Sequence, residues 1–186
     1  KDVEDDPQGR ELLPFEVDYL RKSMKSKFRT RYAFKIAHWF VGVLVQKKQF
    51  VLKDIEGIEH LKNLDSGAII TCNHFNAFDS FAMQLVYEKA GQRRRKLFRV
   101  ISEANYTAFP GFYGFLMRNC NTLPLSSNRL TMKKFLLAVN RILQNGHFIL
   151  VYPEQSMWWN YRKPKPLKMG AFKLAAKNQV PVVPIF

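Results

Sequence analysis

Short apolar runs alternate along this chain with stretches in which apolar residues return every three or four positions, a rhythm of strands separated by helices. Strand-like runs fall at Gln49–Leu52, Ala68–Thr71, Phe98–Ile101, Thr122–Leu125, Phe148–Val151 and Pro181–Ile185. Phe78 to Tyr87 reads as helix. The clearest helical pattern runs from Leu130 to Leu143, with Met132, Phe135, Leu136, Val139, Ile142 and Leu143 on one face. Helical crossovers between strands imply parallel pairing. The expected fold class is α/β, a mixed, largely parallel sheet flanked by helices, with an N-terminal basic amphipathic helical segment. The two prolines of Val180-Pro-Val-Val-Pro-Ile185 restrict that run to a sheet edge, a strand end or a bulge.

The segment from Arg21 to Lys48 has its own pattern. Phe28, Tyr32, Ile36, Phe40 and Leu44 recur at helical spacing, Lys27, Arg31 and Lys35 fall on the neighbouring face, and Arg21, Lys22 and Lys25 lie upstream. The apolar stretch Ala37 to Val45 contains His38 and falls well short of the ~20 residues that span a bilayer. A helix lying in the headgroup plane is the expected arrangement; packing on the sheet is the competing one. A boundary near Lys47 and Lys48 divides the chain into a helical, membrane-surface segment, 1–48, and an α/β domain, 49–186.

Composition sharpens this picture. A hydrophobic fraction of 47% with 24% charge over 186 residues suits one globular core. Thirty basic against fifteen acidic residues give +15, so the chain seeks polyanions such as acidic lipid headgroups, acidic substrates or nucleic acid. No groove-reading or base-stacking motif supports the last, and no nucleic-acid partner is expected. Cys72 and Cys120 lack metal or redox spacing and are expected to be reduced thiols. The acidic opening Lys1-Asp-Val-Glu-Asp-Asp-Pro7 has no apolar core to serve as a secretory signal. The chain is expected to begin inside a longer protein and to continue past Phe186.

The chemistry concentrates in Asn73-His-Phe-Asn-Ala-Phe-Asp79, where an imidazole and a carboxylate flank the turn from a strand to a helix. Crevices at the carboxyl ends of strands bind ligands in open α/β sheets. A carboxylate on one imidazole nitrogen fixes the tautomer and stabilises the imidazolium formed when the ring takes a proton. The same spacing also serves as a helix cap. Glu154, at the end of Phe148-Ile-Leu-Val-Tyr-Pro-Glu154, is expected to reach the same crevice. His38, His60 and His147 fit structural roles, and Arg93-Arg-Arg-Lys96 fits a solvated loop or a contact to headgroups or an acidic carrier. No Gly-x-Ser-x-Gly elbow offers a serine nucleophile.

In order and separation these segments resemble the glycerolipid acyltransferase family, which includes the lysophosphatidic acid acyltransferases. Asn73 to Asp79 resembles its His-x4-Asp block, Asn121 to Arg129 its arginine-bearing second block, Tyr152-Pro-Glu-Gln-Ser-Met157 its Phe-Pro-Glu-Gly-Thr-Arg block, and Val180 to Ile185 its fourth. The likeness covers roughly residues 50–186. Departures are specific: aligned strictly, the second block's arginine falls at Ser127, with Arg129 two places late, and the third block's glycine, threonine and arginine are Gln155, Ser156 and Met157. Arg162, Lys163, Lys165 and Lys168 stand ready as substitute cations, Lys168-Met-Gly170 matches the family's Lys-x-Gly, and Met157 to Tyr161 could wall an acyl or headgroup pocket.

The resemblance implies direct acyl transfer from acyl-CoA or acyl-carrier protein to a lysophospholipid hydroxyl. It makes His74 the general base and Asp79 its orienter, with backbone amides near the third block facing the oxyanion. It places Asn73, Arg129, Glu154, Gln155, Ser156, Lys168 and Gly170 around the substrates, with Glu154 ordering the site rather than acting as a second base. No metal or cofactor is implied beyond the acyl donor as co-substrate. Expected partners are an anionic membrane surface, the lyso-lipid acceptor and the donor, at the cytoplasmic face of the membrane as a peripheral or monotopic protein. A phosphate-free or glycolipid acceptor, and a non-catalytic module that binds anionic membranes, remain alternatives.

Overall fold

The computed structural model describes residues 8–92, 94–157, 163 and 165–186. In chain order its elements are α1 (Met24–Gln46), α2 (Ile58–Lys62), β1 (Ala68–Cys72), α3 (Asp79–Lys89), β2 (Leu97–Ile101) and α4 (Glu103–Thr107). Next come α5 (Gly111–Asn119), β3 (Thr122–Pro124), α6 (Arg129–Gln144), β4 (Phe148–Val151), α7 (Gly170–Asn178) and β5 (Val182–Ile185). The fold is α/β, as the alternating pattern predicts. Two compact units divide the chain: the first combines Glu56–Val100 with Val139–Phe186, the second Pro7–Ile55 with Ile101–Ala138.

In the first unit β2, β4, β1 and β5 lie side by side in that order, and all three ladders are parallel. Parallel strands are covered on both faces, so their sequences run apolar without alternation. Ile69 and Ile70 of β1 and Phe148, Ile149 and Leu150 of β4 are accordingly fully buried. β5 holds the edge, where its proline costs no ladder bond. Pro184 pairs with Thr71 there. α7 packs on β1 through the small residues Ala171 and Ala175, both buried. Gly67 is required at the entry to β1, because a Cβ there would overlap the Leu143 carbonyl.

The second unit is mainly helical. Ser23 caps α1 by accepting the Ser26 N–H at 3.1 Å, and the Asp18 carboxylate accepts the amides of Lys22 and Ser23. α1 packs against α5, with ring pairs Tyr32–Phe115 at 6.0 Å and Phe40–Phe112 at 5.2 Å. Its buried residues are Ala33 and Val41, while Met24, Phe28, Tyr32 and Trp39 stay exposed. No helix among the described residues is long and apolar enough to cross a membrane. Within this unit the Leu125 N–H donates to the Ile101 carbonyl at 2.9 Å, beyond the end of β3.

Two expectations are corrected here. Gln49–Leu52 is not a strand, because the Gln49 and Phe50 amides both donate to the Leu44 carbonyl, at 2.9 and 3.3 Å, closing the end of α1. Lys48 takes φ 55° in that turn, and Val51 is left exposed. Arg21 is not a surface charge: it is 8% exposed, and its guanidinium donates to the carbonyls of Asp18, Arg118 and Thr122.

Candidate active site

The register Thr71↔Val151 aligns the exits of β1 and β4, and His74 and Glu154 each lie three residues beyond that pair. Their convergence follows from the ladder alone. The Glu154 Oε2 accepts the His74 backbone N–H at 3.2 Å. After β1 the chain turns through Asn76, whose side-chain oxygen accepts the Phe78 N–H at 2.9 Å and whose carbonyl accepts the Asp79 N–H at 3.1 Å. This turn delivers Asp79 to the first turn of α3, where a carboxylate also faces the positive end of the helix.

A single oxygen, Asp79 Oδ2, then accepts three hydrogen bonds: from His74 Nδ1 at 3.0 Å and from the Phe75 and Asn76 amides at 2.9 Å each. Asp79 is buried and the His74 side chain is about a quarter exposed (24%). Because a carboxylate can only accept, the His74 Nδ1 carries the proton and Nε2 keeps its lone pair. The turn thus serves as both cap and orienter. That combination of acceptor, imidazole and free lone pair is able to take a proton from a bound hydroxyl.

Tyr152 completes the frame. Its ring stacks on the His74 imidazole with centroids 4.2 Å apart and planes 22° apart, and its hydroxyl meets Ser80 Oγ at 3.1 Å. Burial pushes the Tyr152 hydroxyl up, so it stays protonated. Neither Tyr152 nor Ser80 stands out in the sequence as a site residue. The parallel pairing of β1 with β4 is the signal that could have brought Tyr152 beside His74. Cys72 sits nearby, but burial pushes its thiol up to about 12, which leaves it a poor nucleophile.

The third block shapes the other wall. Gln155 occupies the family's glycine position with φ 68°, a left-handed conformation that glycine adopts at no steric cost. Its N–H donates to the Tyr152 carbonyl at 3.1 Å and the Ser156 N–H to the Glu154 carbonyl at 2.9 Å, so these two amides are turned inward rather than toward an oxyanion. Lys165 is buried and donates to the Ser156 carbonyl at 2.5 Å, bracing the turn. Lys168 is exposed at its side chain, and its N–H holds the Pro153 carbonyl at 2.8 Å. Gly170 opens α7 with open space about it. Asn73 accepts the Cys72 thiol at 3.7 Å.

A cavity of about 310 Å³ opens beside this frame, lined by Cys72, Asn73, Glu154, Leu167, Phe172 and Ile185 among others. Arg129 belongs to the second unit, where it is the exposed first residue of α6. Lys163 is exposed. Arg93, Arg162 and the stretch from Trp158 to Tyr161, expected to wall a pocket, lie outside the described residues. No cluster of metal-ligating side chains occurs among the described residues.

The acyltransferase family model matches residues 53–186. A 1-acyl-sn-glycerol-3-phosphate acyltransferase BAT2, chloroplastic, of Brassica napus is 26% identical over 162 residues, which is 86% of this chain and 43% of that protein. The chain therefore spans less than half the length of that relative.

Proposed function

This chain belongs to the acyltransferase family, and we propose from that premise that it moves a fatty acyl group from acyl-CoA or acyl-carrier protein to the hydroxyl of a lysophospholipid such as lysophosphatidic acid. The observation that carries the reading is the His74–Asp79 pair at 3.0 Å, with Nδ1 committed to the carboxylate and Nε2 open. His74 Nε2 takes the acceptor's hydroxyl proton as the oxygen attacks the thioester carbonyl. The new C–O bond replaces the C–S bond, and the proton passes to the departing thiolate. Asp79 holds the tautomer and stabilises the imidazolium between those events. General-base assistance of this kind contributes ~10²–10⁴ in rate, and alignment of the substrates supplies the rest.

Glu154 fixes the His74 backbone rather than serving as a second base, and Tyr152 keeps the imidazole plane from turning. The acyl chain finds its apolar surroundings in the cavity lined by Leu167, Phe172 and Ile185. Asn73, Gln155, Ser156, Lys168 and Gly170 frame the approach to it. In the family the arginine of the second block holds the acceptor's phosphate, and Arg129, two places late of that position, takes this role here. The exposed Met24, Phe28 and Trp39 on α1, interleaved with Lys25, Lys27, Arg31 and Lys35, support a peripheral or monotopic seat on the anionic cytoplasmic face of a membrane.

The test offers radiolabelled acyl-CoA and acyl-carrier protein, with a panel of lysophosphatidic acid, phosphate-free lyso-lipids and glycolipids, to the protein. Transfer to lysophosphatidic acid is the expected result. Transfer to phosphate-free acceptors alone would move the assignment to the glycolipid alternative, and membrane binding without any transfer would overturn it.

A further inference from the structure

The second unit contains a larger cavity, of about 610 Å³, that the reaction at His74 does not use. Five cations line it, Arg10, Arg21, Lys25, Arg29 and Arg118, against two carboxylates. Both carboxylates are already engaged. Glu16 is forked by Arg10, at 2.8 Å through Nη1 and 2.5 Å through Nη2, and the two oxygens of Asp18 accept the Lys22 and Ser23 amides. None of Arg21, Lys25, Arg29 and Arg118 is ion-paired within the described residues.

Two of these four are held in place by bonds that carry no countercharge. The Arg21 guanidinium donates to the carbonyls of Asp18 at 3.2 Å, Arg118 at 3.2 Å and Thr122 at 3.3 Å, while its buried Nε–H has no acceptor. Arg118 Nη1 donates to the carbonyls of Tyr106 at 3.3 Å and Phe109 at 3.0 Å. The Arg21 backbone sits at φ 52°, which is strained for a residue with a side chain. Carbonyl dipoles orient a guanidinium without neutralising it, and a cation 8% exposed with Asp18 nearby but no anion in direct ion-pair contact is costly. Lys25 and Arg29 come from the first two turns of α1, whose N-terminal end adds positive potential. Leu12, Phe15, Val17 and Phe115 supply apolar lining.

We propose that this cavity binds a phosphate ester bearing an apolar substituent, its phosphate neutralising Arg21 and Arg118 with Lys25 and Arg29 closing over it. All the lining residues belong to the second unit, so the proposal stands independently of the His74 mechanism. Such an ester arrives either as a soluble molecule or as a lipid headgroup.

Isotope-labelled whole protein is titrated with octyl phosphate and, separately, with phosphatidylglycerol nanodiscs, following the Arg21 Nε–H and the Lys25 amide resonances. Saturable shifts at both groups are expected, with affinity falling about tenfold or more in the exposed double variant Lys25→Gln/Arg29→Gln, whose fold is checked by circular dichroism. Shifts with free octyl phosphate identify a site for soluble esters, and shifts with nanodiscs alone identify a headgroup site. Absence of any shift at Arg21 with either probe, or undiminished affinity in the double variant, would overturn the proposal.

Discussion

At the exits of β1 and β4 the charged groups come in matched sets, whereas around Arg21 the cations outnumber the carboxylates open to them. Asp79 satisfies an imidazole and two amides, and Glu154 satisfies the His74 backbone, which leaves His74 Nε2 as the ring nitrogen not engaged by the frame. In the second unit Glu16 and Asp18 are consumed locally, leaving Arg21, Arg118, Lys25 and Arg29 without an ion-pair contact among the described residues. A matched polar set spends its bonding on holding one atom in position, which is what a reactive base requires. An unmatched set of cations invites a ligand.

Breaking the matched set should have graded effects. His74→Ala removes the proposed base and is expected to lower the transfer rate by ~10²–10⁴ with the fold intact, measured with labelled acyl-CoA and lysophosphatidic acid. Asp79→Asn keeps a cap for the turn but weakens the hold on the Nδ1 proton; a loss of about 10²-fold in kcat is expected. Tyr152→Leu removes the stack, worth ~0.5–1.5 kcal/mol, so kcat should fall by about two- to tenfold while Tyr152→Phe falls less.

His147, like Asn178, departs from good matching within the first unit. Its Nδ1 is buried without a partner, and burial, then Lys96 and Arg95, hold the imidazole below the ordinary value of 6.5. The unfolded chain therefore takes the proton first as pH drops through 6.5, and the stability associated with a neutral His147 is lost from there downward. A His147→Phe protein should lose less melting temperature on acidification than wild type. The smallest effect is expected at Cys72, whose thiol at about 12 stays protonated: Cys72→Ala should transfer within about twofold of wild type, and Cys72 should resist iodoacetamide at neutral pH.

Five of the six strands expected from the sequence are present, because a strand buried on both faces writes itself as an uninterrupted apolar run, as in Ala68 to Thr71 and Phe148 to Val151. The sixth, Gln49–Leu52, has the same local composition, but its amides are claimed by the end of α1. Propensity cannot register that competition. His74 and Asp79 lie close in sequence and were legible as a pair. Tyr152 was not, since its role arises from the register between β1 and β4 and from the plane of its ring. Arg21 misled for a related reason: a basic residue upstream of a helix reads as surface charge, and only the tertiary fold shows three carbonyls gathered around it.

The central claim, that His74 Nε2 accepts the acceptor's proton, is tested most directly by chemical rescue of His74→Ala. Transfer of labelled acyl group from acyl-CoA is followed with and without free imidazole. The account predicts a near-silent variant whose turnover rises with imidazole concentration, and it would be contradicted by a variant that transfers at the wild-type rate with no imidazole present.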